Sequence, residues 1–367
     1  MALALAHDWF NTKAGGGEQV ALALAELFPT APMFTLIYNQ AKFGNRLAAQ
    51  RRHVSWLNRL PRFLLNRPRY LLPLVPAAVK SLDFSDYNVI LSSSVAFMKN
   101  LRRPQGSTHI CYCHSPMRFA WDYAGPYMAE QRIDPLRQLG ARLLRRYVKA
   151  WDRRGSKTVD VWLAKSRLVA ERIQRFYGQA ATVVYPPVDT AIFKPGPDVT
   201  KQAYYVTMAM LTPYKKLDIA IKAFNQNGQR LVVIGDGPDR SRLTKLAGPN
   251  IEFAGYVDGQ HKIKLLQGAR GLIYPNEEDF GIAPVEAMAA GTPVIAYGRG
   301  GVTESVLDGR TGILFSQQTV ASLQAALVKA EATQWRASEL WQQAQRFDRQ
   351  IFAARIKEIV NSHVQTN

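Results

Sequence analysis

Two glutamates, Glu278 and Glu286, lie eight residues apart in the segment EEDFGIAPVEAMAAG, which covers residues 277–291. Pro284 suits the first turn of a helix, where its missing N–H costs nothing, and Gly291 suits the end of that helix. The N–H groups at such a helix start can bind an anion, and the two carboxylates can accept hydrogen bonds from sugar hydroxyls. The segment therefore predicts a site for a sugar that carries a phosphate group.

The elements that would position this site alternate between short apolar strands and helical stretches. The predicted strands are residues 3–9, 88–94, 107–115, 159–166, 182–189, 204–210, 230–238, 250–257, 269–276 and 292–298. Helical stretches such as QVALALAELF and KLDIAIKAFNQ lie between them, and buried strands separated by helices indicate parallel sheets. Ligands of such folds lie beyond the carboxyl ends of the strands. The strand GLIYP ends just before the loop that carries Glu278.

A segment rich in proline, glycine and charge, FKPGPDVTK, divides this pattern within residues 190–201 and is the best linker candidate. A chain of 367 residues is also too long for one ordinary core. We therefore expect an α/β protein with two Rossmann-like domains that face each other across a cleft, over residues 1–197 and 198–345. Residues 346–367 would form a final helical segment, able to pack back on the first domain.

The sequence shows no clear membrane-spanning or export segment. Its longest uncharged apolar run, LLPLVPAAV, is far shorter than the roughly 18 residues that a spanning helix needs. The N-terminal MALALAHDWF lacks a basic start and reaches His7 and Asp8 too early for a signal peptide. Cys111 and Cys113 give no disulfide framework. These features favour a cytoplasmic protein.

Positive charge is concentrated in the N-terminal half. The formal net charge is +19, and residues 1–197 carry +16 of it, from 28 Lys and Arg against 12 Asp and Glu. Residues 27–82 contain no acid, and their nine bases are Lys42, Arg46, Arg51, Arg52, Arg59, Arg62, Arg67, Arg69 and Lys80. Apolar side chains alternate with these bases, and a second basic segment, RLLRRYVKAWDRR, covers residues 142–154.

Three explanations fit this basic half. Bases interleaved with Trp, Phe and Leu suit a surface that lies on anionic lipid headgroups, and we expect Arg59, Arg62, Arg67 and Arg69 to contact the membrane. A solvated basic face is the second explanation. Nucleic-acid binding is the third, but no recognisable reader motif accompanies the charge, so we expect no nucleic-acid partner.

The opening segment resembles a known family motif. Its E-x7-E pattern with FG inside, followed by P-x-E-A-M-A-x-G-x-P-V-I-A, is similar to the donor-site motif of family 4 retaining glycosyltransferases, which have the two-domain GT-B fold. Further segments match that family in order, and the resemblance covers nearly the whole chain. Of these, CHSPMRFAWD at 113–122 and VVYPPVD at 183–189 resemble the branch of O-antigen and exopolysaccharide mannosyltransferases; the others include GGGE, TPYKKLDIAI, VVIGDGPD, FAGYV and YGRGGVTESV.

The resemblance implies roles for residues of the C-terminal half, which would bind the nucleotide sugar. Glu286 would bond the nucleotide ribose, Glu278 would bond hydroxyls of the transferred sugar, and Lys215 would neutralise the diphosphate leaving group. Further donor contacts would come from the helix start, the base pocket and a second lysine, namely Phe280, Gly281, Ile282, Ala283, Tyr256, Val257 and Lys216.

The N-terminal half would bind the acceptor. The resemblance implies that Gly16 and Gly17 let the first loop approach the donor phosphates, because only glycine allows such close backbone contact. His114, at the end of a predicted strand, would face the donor sugar and the acceptor. We therefore take His114, Lys215 and Glu278 as the catalytic residues.

No metal or other cofactor is expected. The chain has no D-x-D motif, so a metal-held diphosphate is not predicted, and cationic side chains with a helix terminus would stabilise the departing charge. The Cys111-Tyr112-Cys113-His114 segment lacks an evident fourth metal ligand. The resemblance implies that the nucleotide sugar would be a substrate rather than a cofactor.

One position departs from the family pattern. An arginine normally stands five residues before the lysine, in S-R-L-x-P-Y-K, but this chain has Ala209 and Met210 in place of the Ser-Arg pair. Losing a guanidinium from a phosphate site removes strong charge-assisted hydrogen bonds. Lys216 substitutes for it, or donor binding is weak, or the chain keeps the fold with reduced activity.

The resemblance implies a retaining glycosyltransferase on the inner face of the cell membrane. Its expected donor is GDP-mannose, with UDP-glucose and UDP-N-acetylglucosamine as alternatives. Its expected acceptor is a lipid-diphosphate-linked saccharide used in surface or exopolysaccharide synthesis. A non-catalytic scaffold that binds sugar nucleotides or membranes is the alternative of a different class.

Overall fold

The computed structural model describes residues 2–11, 15–65, 68–121, 135–194 and 200–364, apart from the side chains of residues 68, 69, 135–139, 141 and 364. The chain forms two compact units, Met1–Tyr185 together with Ala353–Asn367, and Pro186–Phe352. The division falls ahead of the sequence-based boundary at residue 197. The end of the chain groups with the N-terminal unit.

The N-terminal unit contains a seven-stranded sheet in the order β3-β2-β1-β4-β5-β6-β7, and every pairing in it is parallel. Its strands are β1 Leu3–Phe10, β2 Met33–Tyr38, β3 Arg52–Val54, β4 Val89–Ser94, β5 Thr108–Cys113, β6 Val161–Ala164 and β7 Thr182–Val183. Its helices are α1 Gly16–Leu27, α2 Gln40–Phe43, α3 Arg62–Leu65, α4 Val75–Lys80, α5 Pro135–Gly155 and α6 Arg167–Tyr177.

The second unit contains a six-stranded parallel sheet in the order β10-β9-β8-β11-β12-β13. Its strands are β8 Tyr204–Met208, β9 Arg230–Ile234, β10 Ile251–Gly255, β11 Leu272–Tyr274, β12 Val294–Tyr297 and β13 Gly312–Phe315. Its helices are α7 Thr190–Phe193, α8 Leu217–Asn227, α9 Arg240–Leu246, α10 Gly259–Gly268, α11 Ile282–Ala289, α12 Val302–Ser305, α13 Val320–Ala332 and α14 Ala337–Gln345, and the last helix of the chain, α15, is Arg349–Val364. The predicted parallel α/β architecture is confirmed.

Central strands of the N-terminal sheet are buried on both faces. All six residues of β2, MFTLIY, are buried, as are all six of β4. Fully burying a large apolar side chain contributes about 1.5–3 kcal/mol relative to exposure. Burial of every residue in these two strands, rather than of alternate residues, is what a sheet covered on both sides requires.

Both sheets share one topological feature. In each, the first strand of the unit lies between the second and the fourth, so β1 pairs with β2 and β4, and β8 lies between β9 and β11. The connection that follows the first strand and the connection that follows the fourth strand leave in opposite directions. This opens a crevice at the carboxyl ends of these two strands. The loops after β8 and β11 therefore meet at one such switch point, and those after β1 and β4 meet at the other.

The acid-free segment 27–82 is partly core and partly surface. Leu57 and Leu71 are buried in the N-terminal core, whereas Trp56 is 37% exposed and Phe63 is 65% exposed. Some of the apolar side chains between the bases therefore belong to the core of the N-terminal unit. Within the part of the chain that the structure describes, no helix has the length and apolar character to cross a membrane.

Candidate functional site

The switch point of the second unit brings two predicted catalytic residues together. After β8, Pro213 opens a single 3₁₀ turn that ends at Lys215, and this lysine is only 8% exposed. After β11, the chain continues into the loop that carries Glu278. The Lys215 ammonium forms an ion pair with Oε1 of Glu278. The hydroxyl of Tyr274, at the end of β11, donates to Oε2 of the same carboxylate at 2.5 Å.

Two glycines of the YGRGG segment hold the Glu278 loop in place. The N–H of Gly301 donates to the carbonyl of Glu278 at 2.7 Å. A Cβ on Gly301 would lie 2.3 Å from the carbonyl oxygen of Asp279, so no larger residue fits there. Gly300 has a φ of +82°, which favours glycine. The segment therefore supports the position of the carboxylate through backbone contact.

Helix α11 begins where the sequence predicts. Gly281 precedes it with a φ of +89°, and the helix runs from Ile282 with Pro284 in its first turn. The N–H groups of Ile282 and Ala283 have no acceptor within the helix, and both residues are partly exposed. Phe280, by contrast, is buried against the core, so its side chain serves packing. The helix start can thus receive an anion.

The second glutamate has its own basic partner. Glu286 lies on α11 and is 8% exposed, and its Oε1 is 2.8 Å from Nζ of Lys262 on α10. Burial raises the pKa of Glu286, and the Lys262 ammonium opposes part of that rise. The Lys262 ammonium also lies 5.0 Å from the ring centroid of Phe193. Sequence reasoning missed Lys262, and the only signal for it was Asp258, which caps α10 and so fixes the helix register.

The remaining predicted donor residues are less closely assembled. Tyr256 and Val257 follow β10 at the edge of the sheet, where Tyr256 is 70% exposed and Val257 is half-buried. Lys216 is exposed, has a φ of +55°, and has no ion-pair partner among the described residues. In the described part of the chain, Lys216 forms no hydrogen bond to Glu278 or Glu286, and neither do Tyr256 and Val257.

The loop that carries Met210 is fixed by its backbone. The N–H of Leu211 donates to the carbonyl of Asp236 at 3.0 Å. A Cβ on Gly237 would lie 2.4 Å from the carbonyl oxygen of Leu211, so the GDG turn packs closely against this loop. Met210 itself is 44% exposed. The departure from the family pattern thus lies in an exposed side chain on a well-held backbone.

The switch point of the N-terminal unit assembles a second group. Gly16 opens α1, and a Cβ on Gly17 would lie 3.9 Å from Nε2 of His114 and 3.6 Å from Cε1 of His7. His114 follows β5 and is 5% exposed. The glycine loop and His114, which the resemblance places at the same site, are therefore neighbours.

The predicted membrane residues are only partly described. Arg59 and Arg62 are exposed. Arg67 lies outside the described residues, and so does the side chain of Arg69.

The cysteines Cys111 and Cys113 are buried on β5, and burial raises the pKa of the Cys111 thiol to about 12.

Both halves of the chain match known families. The two parallel-sheet α/β units are consistent with the GT-B fold. Residues 14–192 match the family described as Glycosyltransferase Family 4, and residues 188–347 match the family described as Glycosyl transferases group 1. Together the two matches cover nearly the whole chain, and they support a family 4 glycosyltransferase with the GT-B fold.

Individual relatives match over shorter stretches. D-inositol 3-phosphate glycosyltransferase of Acidothermus cellulolyticus is 31% identical over 42% of this chain and 43% of that protein. The GDP-mannose-dependent alpha-(1-6)-phosphatidylinositol monomannoside mannosyltransferase of Mycolicibacterium smegmatis is 27% identical over 48% of this chain and 54% of that protein. The chain thus spans about half the length of these relatives. Among solved structures, Anabaena HepE in complex with UDP has a TM-score of 0.70 at 16% identity, covers 99% of this chain and 100% of that chain, and shares the fold.

Proposed function

We propose that this protein transfers a sugar from a nucleotide donor to an acceptor hydroxyl, with retention of the anomeric configuration and without a metal. The observation that carries the proposal is the Lys215–Glu278 ion pair beside the start of α11. Each carboxylate is paired with a lysine, Glu278 with Lys215 and Glu286 with Lys262. A bound diphosphate would give Lys215 a second anionic partner, leaving Glu278 able to accept hydrogen bonds from the sugar hydroxyls.

The proposed reaction uses charge stabilisation rather than a protein nucleophile. The bond between the sugar and the diphosphate breaks, and its electron pair goes to the diphosphate oxygen. The acceptor oxygen forms the new bond on the same face, and the leaving phosphate takes the acceptor proton. Lys215 and the N–H groups of Ile282 and Ala283 would stabilise the charge that develops on the diphosphate, which is where preorganised donors act most strongly.

The proposed donor is GDP-mannose. The name of the Mycolicibacterium relative states a GDP-mannose dependence, and the N-terminal motifs resemble mannosyltransferases. UDP-glucose and UDP-N-acetylglucosamine are the alternatives, and the UDP complex of HepE favours testing them. The proposed acceptor is a lipid-diphosphate-linked saccharide at an anionic membrane surface, on the cytoplasmic side.

Turnover and binding together test this function. Each of the three nucleotide sugars should be scored by the rise in thermal stability, because a ligand at 100 times its Kd stabilises the folded state by about 2.7 kcal/mol. Release of GDP or UDP, with and without a lipid-linked saccharide, then tests catalysis. Lys215→Met should abolish release, whereas Lys245→Met, an exposed lysine on α9, should not. Stabilisation without release in any condition would support the non-catalytic scaffold instead.

A further inference from the structure

Three polar side chains form a buried hydrogen-bonded row across three adjacent strands of the N-terminal sheet. His7 on β1 is the register partner of Ser93 on β4, and His114 follows β5. Nδ1 of His7 is 2.9 Å from the carbonyl oxygen of Ser93 and 3.2 Å from its hydroxyl. The same hydroxyl is 2.8 Å from Nε2 of His114. The exposures of His7, Ser93 and His114 are 0%, 1% and 5%.

The hydrogen-bond chemistry gives this row a direction. A carbonyl oxygen can only accept, so Nδ1 of His7 must carry a proton and donate it towards Ser93. Burial lowers the pKa of His7 although the neighbouring Asp8 opposes this, so the ring is neutral and Nδ1–H is its one donor. The Ser93 hydroxyl has one proton and two lone pairs, so it can accept from that donor and give its own proton to Nε2 of His114. His114 then carries its own proton on Nδ1.

The surroundings hold His7 in this orientation. The Asp8 carboxylate is occupied by the backbone N–H groups of Ala96, Phe97 and Met98, so it does not compete for the ring. The ring of Phe10 packs at 4.9 Å between centroids. The first turn of α1 approaches the same ring at Gly17, which places the row directly beneath the predicted phosphate loop.

We propose that His7 and Ser93 are positioning residues, which fix His114 as the tautomer with its proton on Nδ1. The inference rests on the proposed function and on the contact with the transferred sugar that the family resemblance implies for His114, because a fixed Nδ1–H would be the hydrogen-bond donor that His114 offers a sugar oxygen. His7 acts only through Ser93 and touches no substrate. No nucleophilic or acid–base step is assigned to it.

The tautomer can be measured without any substrate. The chain has six histidines, so imidazole nitrogen-15 signals of the full-length protein can be assigned by single substitutions. We expect His114 to show a protonated Nδ1 and an unprotonated Nε2 at neutral pH. A signal for protonated Nε2 would overturn the inference whatever the activity of the protein.

Two pairs of variants separate positioning from mere packing. Ser93→Ala should lower turnover about tenfold, the equivalent of one ordinary hydrogen bond, with nucleotide affinity unchanged, and Ser93→Thr should recover most of it. His7→Asn, whose amide can replace Nδ1–H, should retain more turnover than His7→Gln. The matched control is Ser92→Ala, since the hydroxyl of Ser92 is also buried and lies 2.8 Å from Nε2 of another histidine, His109.

The outcomes distinguish this inference from the function on which it rests. Turnover is the release of GDP or UDP from GDP-mannose or UDP-glucose. If His114→Ala leaves turnover intact, the proposed role of His114 fails, although the tautomer measurement still decides the row itself. If His114→Ala abolishes turnover but Ser93→Ala behaves like Ser92→Ala, the proposed function stands and the positioning inference is wrong.

Discussion

Each of the two glutamates in the opening segment is paired with a lysine, but their surroundings differ. Glu286 is buried within α11 and forms an ion pair with Lys262 of the preceding helix, α10. Glu278 lies in a loop and shares its carboxylate between Lys215 and a tyrosine hydroxyl. A buried helix residue suits a fixed contact with the nucleotide, whereas a loop carboxylate suits a group whose partner changes when substrate arrives.

Substituting the two glutamates should therefore affect nucleotide binding and sugar transfer differently. Glu286→Ala should weaken GDP or UDP binding by about 10–100-fold, the loss expected for one charged hydrogen bond. Glu278→Ala should leave nucleotide affinity nearly unchanged and mainly slow transfer. Calorimetric titration and product release measure the two effects, with Glu252→Ala, on an exposed carboxylate, as the control. Unchanged nucleotide affinity and turnover in both variants would show that neither glutamate belongs to the site.

Lys262 should set the pH range over which the nucleotide binds. Its ammonium opposes the rise in the Glu286 pKa caused by burial, so Lys262→Met should raise that pKa further. A protonated carboxyl accepts ribose hydrogen bonds poorly, and affinity should fall as pH falls through the pKa. The loss should thus begin at a higher pH in the variant than in the natural protein. Superimposable curves of nucleotide affinity against pH would show that Glu286 does not bind the nucleotide as a carboxylate.

The residue at position 210 tests the departure from the family pattern. Met210→Arg should tighten donor binding by about tenfold or more, because the backbone there is already held by the GDG turn and the new guanidinium can bond the diphosphate. Lys216→Ala in the natural background should weaken binding if Lys216 substitutes for the arginine. If neither Met210→Arg nor Lys216→Ala changes donor affinity, the diphosphate must be bound by other residues.

At the scale of elements, the sequence predicted the helix start at residues 280–284 because Pro284 and the flanking glycine act locally. It also located most strands, since their apolar runs stand between clear breaks. It did not predict β2, β3 or β13, and it made β7 too long, because Pro186 and Pro187 end that strand after Val183. The Lys262–Glu286 pair could not be predicted from the sequence, because it depends on how two helices pack and no local pattern encodes that packing.

Gly281 should be irreplaceable for two separable reasons. Its φ of +89° strains any L side chain, and a Cβ there would lie 2.8 Å from the hydroxyl of Tyr274. Gly281→Ala should therefore destabilise the protein by more than the roughly 1–2 kcal/mol of backbone strain alone, and should weaken nucleotide binding. Gly309→Ala is the matched control, with a φ of +72° and open space around its Cβ. Equal losses of unfolding free energy in the two variants would mean that Tyr274 does not constrain the helix start.

At the scale of the whole molecule, the excess of bases in the N-terminal half should bring the protein to an anionic membrane. Bases near such a surface contribute about 1 kcal/mol each, and exposed Trp56 and Phe63 can insert. We expect binding to vesicles that contain anionic lipid, in a flotation assay, and release as the Debye length shrinks to about 3 Å in 1 M salt.

Charge reversal tests which half is responsible. Replacing Arg59, Arg62, Arg67 and Arg69 with glutamate should abolish vesicle binding and leave nucleotide binding intact. The same number of reversals in the second unit, at Lys245, Lys264, Arg270 and Lys329, all exposed, should weaken vesicle binding far less. If the natural protein ignores anionic vesicles at low salt, the basic half must serve another partner.

The central position of each unit's first strand has a consequence for how the chain is made. Synthesis proceeds towards the C-terminus, so β1 leaves the ribosome well before its neighbour β4, which starts at Val89. Until then one edge of an apolar strand has no partner, and the same delay recurs between β8 and β11, which starts at Leu272. Unpaired strand edges attract other chains, and parallel sheets close slowly. The half-made protein, rather than the finished one, should therefore be the species most dependent on chaperones.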